Sequence, residues 1–160
     1  SAAARLSRQI TEASLKKEYL AILCGIPEES CGMLSDLLFY DRRRGKSFVV
    51  DRPRAGVKEA VLDYTCLRTD DDFSLLHIRL HTGRTHQIRA QMAASGHPLL
   101  GDGKYGKLDK RFDRNYQALY SYKLTFDFST DAGALEYLNG KSFQVEKVDF
   151  VEEYFPDVKL

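Results

Sequence analysis

The sequence predicts an α+β fold built on a largely antiparallel sheet with a few helices. Three observations lead there. Apolar and polar residues alternate along residues 59–68, 73–81 and 119–128, the period of a half-buried strand. Helical spacing is confined to short stretches, with Leu6 and Ile10 four apart and Ile88 and Met92 four apart. Asn139-Gly140 lies between two apolar runs, a strong signal for a two-residue hairpin.

In chain order, residues 2–14 read as a short helix. Tyr19 to Gly25 reads as a strand, and its run Leu20-Ala21-Ile22-Leu23 predicts burial on both faces. Gly25-Ile26-Pro27 ends it. Met33 to Tyr40 is expected as a second strand, although Asp36 interrupts its apolar character. A basic turn centred on Gly45 follows, then a short strand from Ser47 to Val50 and a loop over residues 52–56. Residues 59–68 and 73–81 form a hairpin around Thr69-Asp70-Asp71-Asp72, with Ala60, Leu62, Tyr64 and Cys66 on one face. The chain then turns through Gly83 into a helix, for which Thr82 and Thr85 are the N-cap candidates. Turns at Gly96-His97-Pro98 and Gly101-Asp102-Gly103 precede a strand over residues 119–128. Residues 135–138 and 142–145 are expected to pair across Asn139-Gly140. Phe150 to Phe155 closes the chain as a short helix or an extended tail.

Composition bounds the rest. With 160 residues, 43% of them hydrophobic, the chain can bury one ordinary core, so residues 1–160 are expected to form a single domain. No apolar run approaches the ~20 residues of a membrane span, and the opening SAAARLSRQITEASLKK lacks a signal peptide's apolar centre. Cys24, Cys31 and Cys66 show no C-x-x-C spacing, which suggests reduced thiols in a cytoplasmic protein, acting as small packing residues. His77, His81, His86 and His97 lack metal-ligand spacing, and no metal site is expected. The net charge of +1 is unevenly spread. Residues 42–58 hold seven basic residues against Asp51, and residues 104–114 hold five against Asp109 and Asp113. Residues 127–153 instead hold seven acidic residues against Lys141 and Lys147. That asymmetry suits one face turned to a polyanion such as nucleic acid and one to solvent.

The densest stretch is Leu80 to Gly106, LHTGRTHQIRAQMAASGHPLLGDGKYG. Arg84 and Arg89 flank the expected helix start, where unpaired N–H groups add positive potential, so an anion is expected there. This stretch closely resembles the signature of RluA-type RNA pseudouridine synthases. Lys17-Glu18-Tyr19-Leu20-Ala21 is similar to that family's K-x-Y-x-A strand, and Ala118 to Leu124 to its late core strand. The three segments occur in the family's order.

The resemblance implies the pseudouridine synthase fold, a mixed sheet around an RNA cleft. The implied activity is uridine-to-pseudouridine isomerisation in ribosomal or transfer RNA, with neither metal nor redox cofactor. Arg89, at the Q-I-R position, would pair with a nucleophilic aspartate, and Tyr19 would stack on a flipped base. Lys17, Arg84, Thr85, His86, Ile88, Arg42, Arg43 and Arg44 are the expected substrate or RNA contacts, with no membrane partner. The family's H-R-L-D motif, which carries the aspartate, does not occur here. The chain therefore resembles the C-terminal part of a catalytic domain, inactive alone and prone to self-association through an edge left exposed. Asp102 is assigned to turn chemistry rather than to nucleophilic attack. The alternative reading is a catalytically silent RNA-binding module.

Overall fold

Residues 3–4, 15–128 and 133–160 are described by the structure, a computed structural model. Seven strands form one sheet in the order β3-β2-β4-β5-β1-β6-β7. They are β1 (Leu15–Cys24), β2 (Cys31–Asp41), β3 (Lys46–Val50), β4 (Val57–Thr69), β5 (Phe73–Leu80), β6 (Leu119–Phe126) and β7 (Ser142–Gln144). Each neighbouring pair is antiparallel. Helix α1 spans Gln87–Ala94 and helix α2 spans Asp149–Tyr154. The helix expected over residues 2–14 lies outside the described residues apart from 3–4.

β1 is the strand on which both layers meet. Side chains alternate across a strand, so Leu20 and Ile22 enter one layer with Phe73, Leu75, Phe150 and Val151. Ala21 and Leu23 enter the other with Leu62, Leu76, Ile78, Ile88 and Met92. Helix α2 thus covers one face and α1 the other. That is why residues 20–23 read as a continuous apolar run. Each fully buried Leu or Ile here contributes roughly 1.5–3 kcal/mol of transfer free energy.

The rim of β1 also fixes the later turns. The Leu100 N–H donates to the Ile22 carbonyl at 2.8 Å, and the Ala118 N–H donates to the Leu100 carbonyl at 2.8 Å. Leu99 makes an isolated bridge to Leu23. Gly101 follows at φ +79°, where a Cβ would collide with the Tyr116 carbonyl oxygen. Only glycine fits, so the chain turns there and delivers Asp102 towards α1.

Several sequence expectations hold and several need correction. The basic turn at 42–45, the β4–β5 hairpin and the terminal helix are all present. The Asn139-Gly140 hairpin is not. Residues Gly133–Leu138 form a 3-10 helix, and β7 pairs with β6 instead. The turn signal is real, with Gly140 at φ +78°. Its upstream arm buries Leu135 against Phe128, with Phe126 and Leu138 packed alongside, and tertiary burial overrides the strand pattern. Strand β6 ends at Phe126, short of Phe128. Of the thiols, Cys31 is exposed and only Cys24 and Cys66 are half-buried, because Cys31 opens β2 at the sheet's rim. No described helix is long and apolar enough to cross a membrane.

Replacing Phe150, which is 1% exposed, by alanine should cost about 3–5 kcal/mol of stability. Urea unfolding measures this, and a loss below about 1 kcal/mol would show that α2 is not needed to cover its face.

Candidate nucleic-acid interface and active site

The loop from β5 into α1 is shaped by a glutamine. Gln87 is buried, and its Oε1 accepts the Thr82 hydroxyl at 2.8 Å and the Arg84 N–H at 2.9 Å. Its Nε2 donates to the Val61 carbonyl at 3.1 Å, and Thr82 Oγ1 accepts the Val61 N–H at 2.9 Å. Neither Thr82 nor Thr85 caps the helix, as the sequence had suggested. His86 occupies the N-cap position at φ 53°, with no side-chain cap. The Gln87 amide instead binds the preceding loop back onto β4. The helix begins at Gln87, so Arg84 and Arg89 flank its start as expected.

Arg89 projects from α1 and meets Asp102. Nε and Nη2 donate to Asp102 Oδ2 and Oδ1, each at 2.8 Å. The Asp102 side chain is fully buried and that of Arg89 is 13% exposed. Asp102 Oδ1 also accepts the Lys104 and Tyr105 N–H groups at 3.2 Å. The turn chemistry expected of Asp102 is therefore present. The sequence reading missed its second role, as a partner for Arg89 within the chain. This planar fork leaves the Nη1 edge of Arg89 for any further carboxylate.

Tyr105 joins three segments. The Arg89 guanidinium lies 5.0 Å from its ring centre and Lys46 Nζ lies 5.1 Å away. Its hydroxyl accepts the Ser47 N–H and contacts His86 Nδ1, both at 2.8 Å. The Ser47 hydroxyl donates to the Thr85 carbonyl at 2.6 Å, and Lys104 Nζ to the Gly45 carbonyl at 2.9 Å. The β2–β3 turn, the 82–86 loop and the 102–106 turn thus form one block. Burial, reinforced by the Arg89 and Lys104 charges, pushes the His86 pKa down, so the ring is neutral near pH 7.

Two cavities flank Gly83 and Arg84. The larger, about 690 Å³, is lined by Tyr40, Arg42, Arg43, Lys58, Arg84 and Thr85 among others. The smaller, about 470 Å³, is lined by Lys17, Arg79, His81, Gly83 and Arg84 among others. Lys17 Nζ packs beside Gly83. Tyr19 stands two residues further along β1, on the same face, and packs on the layer that holds Ile88. The fold therefore gathers Lys17, Tyr19, Ile88 and Arg84 around the end of β5, and Arg42, Arg43 and Thr85 around the neighbouring cavity. Neither Tyr19 nor Arg89 lines either cavity. Arg44 turns aside, over Phe48 and toward Asp41. Sequence reasoning also missed Ser47, Gln87 and Tyr105. The Y-G of the motif was visible, but nothing local tied Tyr105 to Ser47, 58 residues away.

Burial pushes the Asp102 carboxyl up, but the hydrogen bonds and charge of Arg89, with the Tyr105 and Lys104 N–H groups, hold it below the ordinary carboxylate range. Its stabilising effect is complete above pH ~4 and is lost as pH falls through the lower native value. Asp102→Asn should cost about 3–5 kcal/mol at neutral pH, because it leaves Arg89 unpaired. It should also flatten the loss of stability below pH ~4. Denaturant titrations at several pH values check both, and a variant as stable as wild type would remove the pair from its structural role.

Comparisons with known proteins show the family and the fold. The sequence pattern described as RNA pseudouridylate synthase matches residues 1–94. The chain is 34% identical over 122 residues to "Ribosomal large subunit pseudouridine synthase D" of Borreliella burgdorferi, covering 76% of this chain and 37% of that protein. It is 32% identical over 157 residues to the Zymomonas mobilis protein of that name, covering 98% of this chain and 47% of that protein. The chain thus spans less than half the length of these curated relatives. The fold is similar to that of "Human RNA Pseudouridylate Synthase Domain Containing 1", with a TM-score of 0.67 at 24% identity, covering 98% of this chain and 72% of that one. With the pattern matched over residues 1–94 and these relatives 34% and 32% identical over 122 and 157 residues, the chain belongs to the RNA pseudouridylate synthase family, in its RluA-type branch.

Proposed function

We propose that this chain is the Tyr/Arg half of an RNA uridine isomerase, completed by an upstream segment that carries the nucleophilic aspartate. The observation that carries this reading is Arg89. It is held by Asp102 and Tyr105, and among the described residues its Nη1 makes no hydrogen bond, which would leave that edge for a second carboxylate. Such an edge would keep that carboxylate ionised and aimed at the sugar or base. Tyr19 would stack on the flipped uracil, and Lys17, Arg84, Thr85, His86, Arg42 and Arg43 would hold the RNA around it. The reaction breaks the N1–C1′ bond, rotates the uracil and forms a C5–C1′ bond, with the C5 proton lost to solvent and a proton taken up at N1. No electrons are exchanged. Asp102 is unsuited to attack because both its oxygens are committed to Arg89 and its side chain is fully buried.

The substrate proposed is ribosomal or transfer RNA, in the cytoplasm; both curated relatives above carry a ribosomal large-subunit name. Tritium release from C5-labelled uridine in RNA tests the reading. A longer chain that includes H-R-L-D should turn over, and this 160-residue chain should not. Release by this chain at the longer chain's rate would misplace the nucleophile. No release from either would favour the silent RNA-binding module. In the longer chain, Arg89→Ala should cut turnover more than RNA binding.

Two binding experiments follow. Changing Arg42, Arg43 and Arg44 together to alanine should weaken RNA binding and flatten its salt dependence by about 0.7–0.9 per lost phosphate contact; an unchanged slope would remove the turn from the interface. Tyr19→Phe should keep substrate binding, while Tyr19→Ala should lose about 1–3 kcal/mol. Equal binding by all three would refute stacking. Self-association of this chain, proposed to occur through a sheet edge, would appear as a concentration-dependent mass in sedimentation.

A further inference from the structure

The larger cavity has contents that the isomerisation reading does not use. Tyr40, on β2, is 39% exposed although its ring lines the cavity wall. An exposed tyrosine in a basic hollow has no packing role that explains it. Its ring meets that of His86 at 6.3 Å and 85°, so it is braced rather than loose. Around it stand Arg42, Arg43, Lys58 and Arg84. The acid in this wall is Asp41, whose Oδ1 accepts the Arg43 and Arg44 N–H groups at 2.9 and 3.2 Å. Its charge is committed to the turn. The cavity therefore offers an aromatic surface beside several cations, in a volume of about 690 Å³ that lies within the ordinary range for a small ligand.

Its neighbour relation is the second observation. Gly83 and Arg84 line this cavity and also the one reached by Lys17. Arg84 is pinned there, with Nε donating to the Glu59 carbonyl at 2.8 Å. The two hollows are thus divided by a low ridge of one glycine and one anchored arginine. A nucleic acid strand lying over that ridge would put adjacent nucleotides on its two sides, with a phosphate near Arg84.

We infer that the Tyr40 cavity is a second nucleotide subsite, which takes the single-stranded ribonucleotide next to the target uridine. The inference rests on the RNA reading above and deepens it. The base packs on Tyr40, and its phosphate is held by Arg42, Arg43 and Lys58. Stacking of this kind tolerates any base, because every base has a π-face. The subsite would fix the strand's path and register rather than its sequence.

The probe is the trinucleotide UUU, titrated into this chain by NMR at low salt, beside two versions lacking either terminal base. Tyr40→Phe should bind UUU as wild type does. Tyr40→Ala should bind on the order of tenfold more weakly. One of the two abasic probes should bind wild type that much more weakly, and for that probe Tyr40→Ala should bring no further loss. Thermal melting of Tyr40→Ala, expected to match wild type at so exposed a site, separates lost binding from lost folding. If Tyr40→Ala weakens the full and both abasic probes alike, or weakens none, the subsite is wrong. An acidic peptide that binds tightly with the same Tyr40 dependence would overturn it in favour of a protein partner. Absence of any RNA binding by wild type would instead sink the RNA reading itself, so the two failures are distinct.

Discussion

Two hydrogen bonds of 2.8 Å between Arg89 and Asp102 set the geometry on which the rest of the cleft depends. Taking a carboxylate fully out of water is costly unless its lone pairs are satisfied. Here they accept two guanidinium N–H groups and two backbone N–H groups. The same bonds that stabilise Asp102 fix the 102–106 turn, and that turn carries Tyr105. The arginine is thereby clamped on one edge, with an aromatic ring 5.0 Å from its charge, and its remaining freedom is small. An arginine that must orient a second carboxylate benefits from such restraint, because alignment is supplied by the fold instead of being found during the reaction.

Tyr105 extends the restraint to the RNA-facing side. Through Ser47 it reaches the β2–β3 turn, and through His86 the loop that bears Arg84. The basic turn would otherwise be a hairpin tip held only by its own strands. Its tie to the 102–106 turn, reinforced by Lys104 on the Gly45 carbonyl, makes the cationic wall part of the same unit as Arg89. A neutral His86 suits this arrangement. A protonated ring would lose solvation on burial and add a charge beside Arg89 and Lys104.

Much of this was legible in the sequence, for identifiable reasons. Strand β1 announced itself by its unbroken apolar run, and the β4–β5 hairpin by alternation, because both patterns reflect burial that the sheet imposes directly. Ile88 and Met92 face the core as their spacing predicts. The family signature pointed to Arg89 and Tyr19; the fold sets Arg89 against Asp102 and Tyr105, and packs Tyr19 on the layer that holds Ile88. What was illegible is long-range. Where threonine caps were expected, Gln87 ties the loop to β4, and Tyr105 finds Ser47 across 58 residues. The Leu135 arm fails to pair because a small apolar cluster draws it inward. In each case a tertiary partner overrode a sound local signal, and no local window contains that partner.

The most direct test of the account is amide hydrogen exchange in wild type and Tyr105→Phe. The central claim is that the Tyr105 hydroxyl ties the β2–β3 turn to the Arg89–Asp102 unit. Removing that oxygen should raise exchange at the Ser47 amide and in the turn before it, while amides of β1 and β5 keep wild-type protection. Unchanged protection at Ser47, or equal loss across the whole sheet, would contradict the claim.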